Sequence, residues 1–275
     1  MNDSKDAQEM DWASFKTTAN SMALEAKREG SILLFRGQSS SSWRLETTLE
    51  RSELDEDVAS YFRVALRIKP EVEAYTGLKW SDEPDIWDIE KHILGGYEEF
   101  SSLFRAALPH YSYLAYLRHH SFPSPLLDWS ASAMVAAFFA FRPERYGDEP
   151  VAIYGYRERD ASGMKSGGSD EPFIRLLGPY VSAPKRHFAQ RSYYTLCAQW
   201  DSHAPYFCAH ENVCKPFNPA EEFQQDILFK SIIPRSERDE VLTELASYNL
   251  NAYTLFGSED SLMDSLAMRA VLDSY

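Results

Sequence analysis

Apolar side chains recur at three- and four-residue steps in several parts of the chain, which is the pattern of amphipathic helices. The clearest case is 7–28, where Gly30 is placed to end the helix. A tandem glycine, Gly95-Gly96, is predicted to kink or divide a longer helix, and Pro70 is predicted to break another. The remaining predicted helices cover residues 54–68, 84–106, 110–119, 235–248 and 259–273.

Short apolar runs bounded by turn residues predict buried strands. One covers 32–35 and ends at Arg36-Gly37. Further strands are predicted over 126–129, 151–156, 193–196 and 227–233, with weaker ones over 173–177 and 206–209. The polar, glycine-rich stretch 157–172 is predicted to be a mobile loop.

Residues 131–141 include the longest apolar run, 133–141, and are predicted to be a helix, capped by Ser130 or Asp128. These elements together predict one α+β domain over 1–275. Its mainly β core covers 31–51 and 122–234, an inserted helical block covers 53–120, and C-terminal helices cover 235–275.

The formal net charge is −14, from 28 Lys and Arg against 42 Asp and Glu. Such an acidic surface argues against a passive nucleic-acid binder, which needs a positive face. The aromatic content of 14% favours a ring-binding cleft. The run 133–141 is too short to cross a bilayer, and the polar N-terminus shows no signal peptide. The three clustered cysteines do not make a disulfide framework, so we expect a cytoplasmic protein that does not contact membranes.

Two motifs carry candidate chemistry. Phe35-Arg36-Gly37-Gln38 ends a buried strand with a guanidinium suited to a phosphate or carboxylate, and Gly37 lets a ligand or another backbone come close. Arg36 could equally pair with a structural carboxylate. The second motif, 124–132, leads into the apolar helix and places Asp128 beside Trp129, a carboxylate beside a stacking face. These two residues could instead be a helix cap and a core side chain.

Other residue types of catalytic interest give weaker signals. His119 and His120 are adjacent, so they point to different sides and do not share a metal; either could be a hydrogen-bond donor in a site or a helix C-terminal cap. The cysteines and histidines over 203–214 lack the paired spacing of a zinc site, and we expect no metal. The chain has no hydrolase elbow, phosphate loop, dinucleotide glycine fingerprint or zinc-protease motif.

The ordered set of motifs resembles the FRG-domain family, which is named for its Phe-Arg-Gly motif. The segment 117–141 is the most specific, because its His-His, Leu-Leu-Asp-Trp and Phe-Phe-Ala elements keep a set register. The resemblance extends over about 31–262. The matching pieces are FRGQ at 35–38, WRLETTLER at 43–51, LRHHSFPSPLLDWSASAMVAAFFAF at 117–141, VAIYGY at 151–156, KRHFAQRSYYTL at 185–196, IIP at 232–234 and NAYTLFG at 251–257.

This resemblance implies a core similar to that of ADP-ribosyltransferases, which have a split β-sheet and cleave NAD as their substrate. Arg36 would then hold a phosphate or ribose of NAD. The family pattern places a glutamate before a late strand, whereas this chain has Gln190 there. A glutamine can hydrogen-bond a ribose but supplies no negative charge, so Asp128 would have to supply it or the chemistry is weakened.

The resemblance also assigns expected roles to the neighbouring residues. Phe35, Gly37 and Gln38 would line the NAD pocket, and Ser130 or Ser132 would support the nicotinamide ribose. Trp129 or Tyr193 would stack on nicotinamide. His119 or His120, together with Asp128, would deprotonate the nucleophile of the acceptor.

The family's association with toxin–antitoxin and antiphage systems implies a toxin with an RNA or protein acceptor, restrained by an antitoxin or chaperone. Two other classes of function stay open. One is a module that binds a nucleotide or a partner without turnover, which Gln190 favours. The other is a nucleic-acid-processing enzyme using His119, His120 and Asp128, which would need a basic groove. The positive residues near Gln190 could form such a groove or a solvated face; they are Lys185, Arg186, His187 and Arg191.

Overall fold

The computed structural model shows a mixed α+β protein in which helices pack on one open sheet. It describes residues 7–80, 84–106, 108–143, 147–159, 171–179, 185–201, 204–218, 220–221 and 223–272. None of the helices in these ranges is long and apolar enough to cross a membrane.

The sheet of the described residues has eight strands. In chain order they are β1 (Ala7–Glu9), β2 (Leu33–Gln38), β3 (Leu126–Ser130), β4 (Val151–Arg159), β5 (Phe173–Leu177), β6 (Ser192–Trp200), β7 (Pro205–Phe207) and β8 (Gln225–Ile233). They are arranged in the order β1-β8-β4-β2-β3-β6-β5, with β7 beside β6. The β1–β8 pair is parallel, and the other pairs are antiparallel.

The sheet is nearly divided between β2 and β3. On one side, β2 pairs with β4 along its whole length, from Leu33 to Gln38. On the other side, β2 and β3 are in register only at Phe35 and Ser130. The two strands therefore diverge beyond that single pair, and the centre of the sheet opens into a cleft.

Ten helices surround the sheet in the described part of the chain. They are α1 (Trp12–Arg28), α2 (Val58–Thr76), α3 (Ile86–Leu94), α4 (Tyr97–Ala106), α5 (Tyr111–His119), α6 (Ala133–Phe141), α7 (Lys185–Ala189), α8 (Arg238–Ser247), α9 (Ala252–Phe256) and α10 (Glu259–Leu272). Short 3₁₀ turns cover His210–Asn212 and Arg235–Glu237.

Three apolar cores hold these elements together. The first packs α2–α5 on β6, for example through Phe62 and Tyr113. The second packs α1, α6, α8 and α9 on β2 and β4, for example through Trp12 and Phe141. The third includes Trp129 and lies among β2, β3, β4 and β6. Phe35 and Ala136 of the second core and Trp129 of the third core line the cleft between β2 and β3.

The predicted strands and the division at Gly95-Gly96 are confirmed, with Gly96 at a φ of +93°. The prediction that Pro70 breaks a helix is wrong, because α2 continues through Pro70 to Thr76. Leu66 and Val72 pack on the helical core on both sides of the proline, and this packing outweighs the lost backbone hydrogen bond.

The helices differ from the prediction at several places. Residues 7–9 form β1 beside β8, and α1 begins only after Asp11, which caps it. Ser132, not Ser130 or Asp128, caps α6, since the side chains of Ser130 and Asp128 bond elsewhere. The region after 248 contains the unpredicted α9, which begins at a capping box on Asn251. Most of the predicted loop, 160–170, lies outside the described residues, and 157–159 extend β4.

Candidate functional site

A cleft of about 340 Å³ opens where β2 and β3 diverge. Both strands, the end of α5, α6, α7 and α9 contribute to its walls. Its lining residues are Phe35, Arg36, Gly37, Arg118, His119, Ser121, Asp128, Trp129, Ser130, Ala136, Phe139, Arg186, Gln190, Ser192 and Phe256.

Asp128 on β3 joins the two sides of the cleft. Its Oδ2 accepts a 2.5 Å hydrogen bond from Nη2 of Arg118 and lies 3.4 Å from Nη1 of Arg36. The same Arg36 nitrogen donates to the Asp128 backbone oxygen at 2.9 Å. The side chain of Arg36 therefore spans the gap between β2 and β3. Although burial raises the pKa of Asp128, the charges of Arg118 and Arg36 outweigh it and lower that pKa below its usual value. Asp128 is therefore an ionised carboxylate at neutral pH.

The cleft is positively charged although the protein as a whole is acidic. Arg36, Arg118 and Arg186 line it, against Asp128 as the single carboxylate among the described lining residues. The Nε atom of each of the three arginines is buried without a hydrogen-bond partner in the described structure. Buried cations that outnumber their counter-ions favour an anionic ligand.

Arg186 is the least neutralised of these arginines. Its Nη2 donates to the backbone oxygen of His119, and no ion pair joins it to a carboxylate within the described ranges. Burial lowers the pKa of Arg186, since its guanidinium has lost part of its hydration. An anion in the cleft would replace that hydration.

A chain of hydrogen bonds leads away from the cleft through His119. Its Nε2 lies 2.7 Å from the hydroxyl of Tyr194, which lies 3.2 Å from Nδ1 of His187. The Nε2 of His187 lies 3.1 Å from the backbone oxygen of Pro179. Burial lowers the pKa of His119 to about 4, opposed by Asp128 and aided by Arg186, so His119 is neutral at pH 7.

Gly37 allows helix α6 to lie against β2. A Cβ atom at this position would lie 1.9 Å from the backbone oxygen of Ala136 and 2.8 Å from the backbone nitrogen of Ala140. The sequence left open whether Gly37 allows a ligand or another backbone to come close. The structure shows the close approach of another backbone, that of α6. Gly37 also lines the cleft, at the side where α6 closes it.

Gln190 and Ser130 form one connected part of the cleft wall. Gln190 lies just after α7, and its backbone oxygen accepts a 2.7 Å hydrogen bond from Oγ of Ser130. Its side-chain Nε2 donates to the backbone oxygen of Leu255 at 3.1 Å. This bond directs the amide nitrogen towards α9, and the side chain carries no charge.

Trp129 lines the cleft, but its indole ring belongs to the core. The residue is 3% exposed, its Nε1 donates to Oγ1 of Thr195 at 2.8 Å, and its ring lies 5.3 Å from the ring of Tyr156. Partly exposed aromatic surface at the cleft comes instead from Phe139 and Phe256, whose rings lie 5.8 Å apart.

The other histidine of the pair, His120, does not line the cleft. Its side chain is exposed, its ring lies tilted at 4.3 Å from the ring of Tyr116, and it lines a separate groove between α2 and α5. His119 and His120 end one helix on different sides, so the structure brings only His119 together with Asp128.

Three further predicted pocket residues lie outside the described lining of the cleft. Gln38 is buried and donates through Nε2 to the backbone oxygen of Arg44 at 3.1 Å. Ser132 caps α6. Tyr193 packs on the core cluster that contains Trp129.

Sequence reasoning missed several of the cleft residues. Arg118 directly precedes the two histidines, and its Nη2 donates to the carboxylate of Asp128 on β3. The sequence marks Arg186 only as part of a basic run. The aromatic residues Phe139 and Phe256 carry no local signal, because they meet only when α6 and α9 pack together.

The described residues contain no group of three potential metal ligands. Cys197 and Cys208 are free thiols with their sulfur atoms 3.2 Å apart, and His210 bonds to Thr195. His203 lies outside the described residues.

Comparison with known proteins gives one positive result. The family model of the FRG domain matches residues 31–149. No curated protein and no solved structure matches the chain significantly. The matched stretch includes the Phe-Arg-Gly motif, the helical block, β3 and α6, and it supplies eleven of the cleft residues, among them Arg36, Arg118 and Asp128. The similar motifs that the sequence shows after residue 149 lie outside the match. Residues 31–149 of this chain therefore match the FRG domain, the family that its sequence motifs resemble.

Proposed function

We propose that this protein is an NAD-dependent ADP-ribosyltransferase that transfers ADP-ribose to an RNA or protein acceptor. We further propose that it acts as a toxin of a bacterial toxin–antitoxin or antiphage system, inside the cytoplasm. The reaction is supported by the cleft, whereas the toxin role is supported by the resemblance to the FRG-domain family.

The main support for the proposed reaction is the charge of the cleft and its position in the sheet. It lies where β2 and β3 separate and combines three arginines with one carboxylate. A pyrophosphate carries two negative charges and would offset the net charge of these four side chains. Phe139 and Phe256 supply the partly exposed aromatic surface that a nucleotide ring needs.

In the proposed reaction, the bond between the nicotinamide nitrogen and the anomeric carbon of its ribose breaks. Nicotinamide leaves with the bonding electron pair, which neutralises its ring charge. A nucleophile of the acceptor then forms a bond to the anomeric carbon and loses a proton, for which His119 and Asp128 are the available acceptors in the cleft. Asp128 would also face the developing positive charge of the ribose.

The remaining residues would bind and orient NAD. Arg36 would hold a phosphate, and Ser130 with Gln190 would meet a ribose. Ser130 and Gln190 are neutral and cannot supply negative charge, so Asp128 alone among the described cleft residues would supply it. Because Arg118 and Arg36 already neutralise part of that charge, we expect slow turnover.

The test is release of nicotinamide from labelled NAD by the purified protein, alone and with cell extract. We expect label to move into RNA or protein, and to be lost in Arg36→Ala and Gln190→Ala. The matched control is Arg63→Ala, which removes an arginine of α2 that pairs on the surface with Glu90. Unfolding curves of all variants would show that each is folded.

The toxin role has its own test, which is growth arrest when the chain is expressed in bacteria. We expect arrest with the natural sequence and with Arg63→Ala, and normal growth with Arg36→Ala. Normal growth with the natural sequence would contradict a toxin role while leaving the reaction open to the nicotinamide assay. An antitoxin or chaperone partner would be sought as a protein that restores growth.

A second candidate is a module that binds a nucleotide without turnover. Two observations favour it, namely the neutral Gln190 and the pairing of Asp128 with two arginines. Saturable binding of NAD without nicotinamide release, even with extract, would favour this module. The third class, a nucleic-acid enzyme using both histidines, loses support because His120 lines a different groove.

A further inference from the structure

A chain of three polar side chains connects the cleft with a backbone oxygen that can only accept hydrogen bonds. The contacts run from Pro179 O to Nε2 of His187 at 3.1 Å, from Nδ1 of His187 to the Tyr194 hydroxyl at 3.2 Å, and from that hydroxyl to Nε2 of His119 at 2.7 Å. His187 is 1% exposed, and Tyr194 is fully buried.

The direction of every hydrogen bond follows from the first acceptor. Since the Pro179 oxygen accepts, Nε2 of His187 must carry a hydrogen. His187 is neutral because burial lowers its pKa, so its Nδ1 is unprotonated and accepts from Tyr194. The single hydroxyl hydrogen of Tyr194 is then used, and its oxygen can only accept from Nε2 of His119.

We propose that Tyr194 and His187 are positioning residues that hold neutral His119 with its hydrogen on Nε2, so that Nδ1 takes a proton from a nucleophile bound in the cleft. This deepens the proposed function and rests on it for the nature of the nucleophile. His119 lines the cleft, and its Nδ1 makes no hydrogen bond with any described residue. Asp128 is left to face the ribose, because its carboxylate is held by Arg118 and Arg36.

The surroundings keep His119 neutral until a proton is delivered. Burial is the main cause of the low pKa of His119. The nearby positive groups lower that pKa further, while the charge of Asp128 raises it. An anion bound in the cleft would raise the pKa of His119 and make Nδ1 a stronger base. The charged or titratable groups that face His119 are Arg118 on its own helix α5, Asp128 on β3, Arg186 and His187 on α7, and Tyr194 on β6.

The first measurement is the tautomer of His119, by nitrogen NMR of the full-length protein labelled at histidine. We expect the hydrogen on Nε2 in the natural protein. Tyr194→Phe removes the acceptor and would leave a buried N–H unpaired, so we expect the hydrogen to shift towards Nδ1. Tyr111→Phe is the matched control, since Tyr111 packs edge-on against Tyr194 but donates to the backbone oxygen of Gly178. This control should keep the natural tautomer.

The second measurement is turnover of NAD by the same proteins. We expect kcat to fall by about tenfold or more in Tyr194→Phe, with KM little changed, and to stay the same in Tyr111→Phe. A hydrogen on Nδ1 of His119 in the natural protein would overturn the proposal. An unchanged kcat in Tyr194→Phe with a shifted tautomer would overturn it as well. If the natural protein releases no nicotinamide, the proposed reaction fails, and the tautomer alone then decides the arrangement of His119.

Discussion

Replacing Gly37 with alanine should destabilise the protein strongly, because the added methyl group meets the backbone of α6. The new Cβ would lie 1.9 Å from the Ala136 oxygen, whereas ordinary contact begins at 3.4 Å. Helix α6 would have to move away from β2 by about 1.5 Å, since neither contacted atom belongs to a flexible side chain. Such a movement opens voids beside Phe138 and Phe141, which are buried on the same helix.

The expected loss lies at the upper end of the cost of overpacking, about 3 kcal/mol. For a chain of this length, that corresponds to a Tm lower by about 6–12 °C. The assay is calorimetric or urea unfolding of the purified variant. The matched control is Gly155→Ala on β4, directly opposite Phe35, where a Cβ would meet Leu33 at 3.5 Å. Its free energy of unfolding should stay within about 0.5 kcal/mol of the natural value.

The result that refutes this reasoning is a Gly37→Ala protein with natural stability. If that protein also failed to bind inorganic pyrophosphate or NAD, the glycine would serve the approach of a ligand and not the packing of α6. If both variants lost stability equally, the effect would belong to glycine in strands generally and not to the contact with α6.

Three other perturbations test the electrostatics of the cleft. Arg186→Met should weaken the binding of inorganic pyrophosphate by about tenfold in calorimetric titration, with Arg63→Met unchanged, because a charged hydrogen-bond donor is lost. Asp128→Asn should strengthen the binding of inorganic pyrophosphate about fivefold, since it removes the one described carboxylate of the cleft. Weaker binding would show that Asp128 chiefly orients the arginines. His119→Gln should reduce the acid sensitivity of folding, measured by urea unfolding at pH 7 and 4.5. The pKa of His119 is about 4 in the folded protein and 6.5 in the unfolded chain, so between these values the unfolded chain binds more protons. His119 therefore lowers the free energy of unfolding by up to about 3 kcal/mol as the pH falls from 6.5 towards 4. An equal pH dependence in both proteins would contradict the burial of His119.

The sequence was sufficient for features that depend on neighbouring residues. Apolar runs bounded by turn residues place the strands β2, β3, β4, β6 and β8, because such runs are typical of buried strands. The division at Gly95-Gly96 follows from the high conformational cost of glycine inside a helix. The motifs around Arg36 and Asp128 also proved to meet, and residues 31–149 match the family that those motifs indicated.

Some local signals misled because distant packing outweighs them. Pro70 normally breaks a helix, yet apolar side chains on both sides of it pack on one core. The same holds for Trp129, whose place beside a carboxylate predicts a stacking surface. Its indole is turned into the core because Thr195, far along the chain, offers the hydrogen-bond acceptor.

The sequence by itself determined most of the helices and strands, though not β1, α7 and α9, and it determined which chemical groups are available. Only the tertiary structure decided which of those groups share the cleft. It placed His119, and not His120, in the cleft. It also brought Arg118 to Asp128 and Arg186 to His119, and it set Phe139 against Phe256. The physical reason is that periodicity reports the faces of single elements. A site between diverging strands depends on which faces meet, and this is set by contacts between residues far apart in the chain.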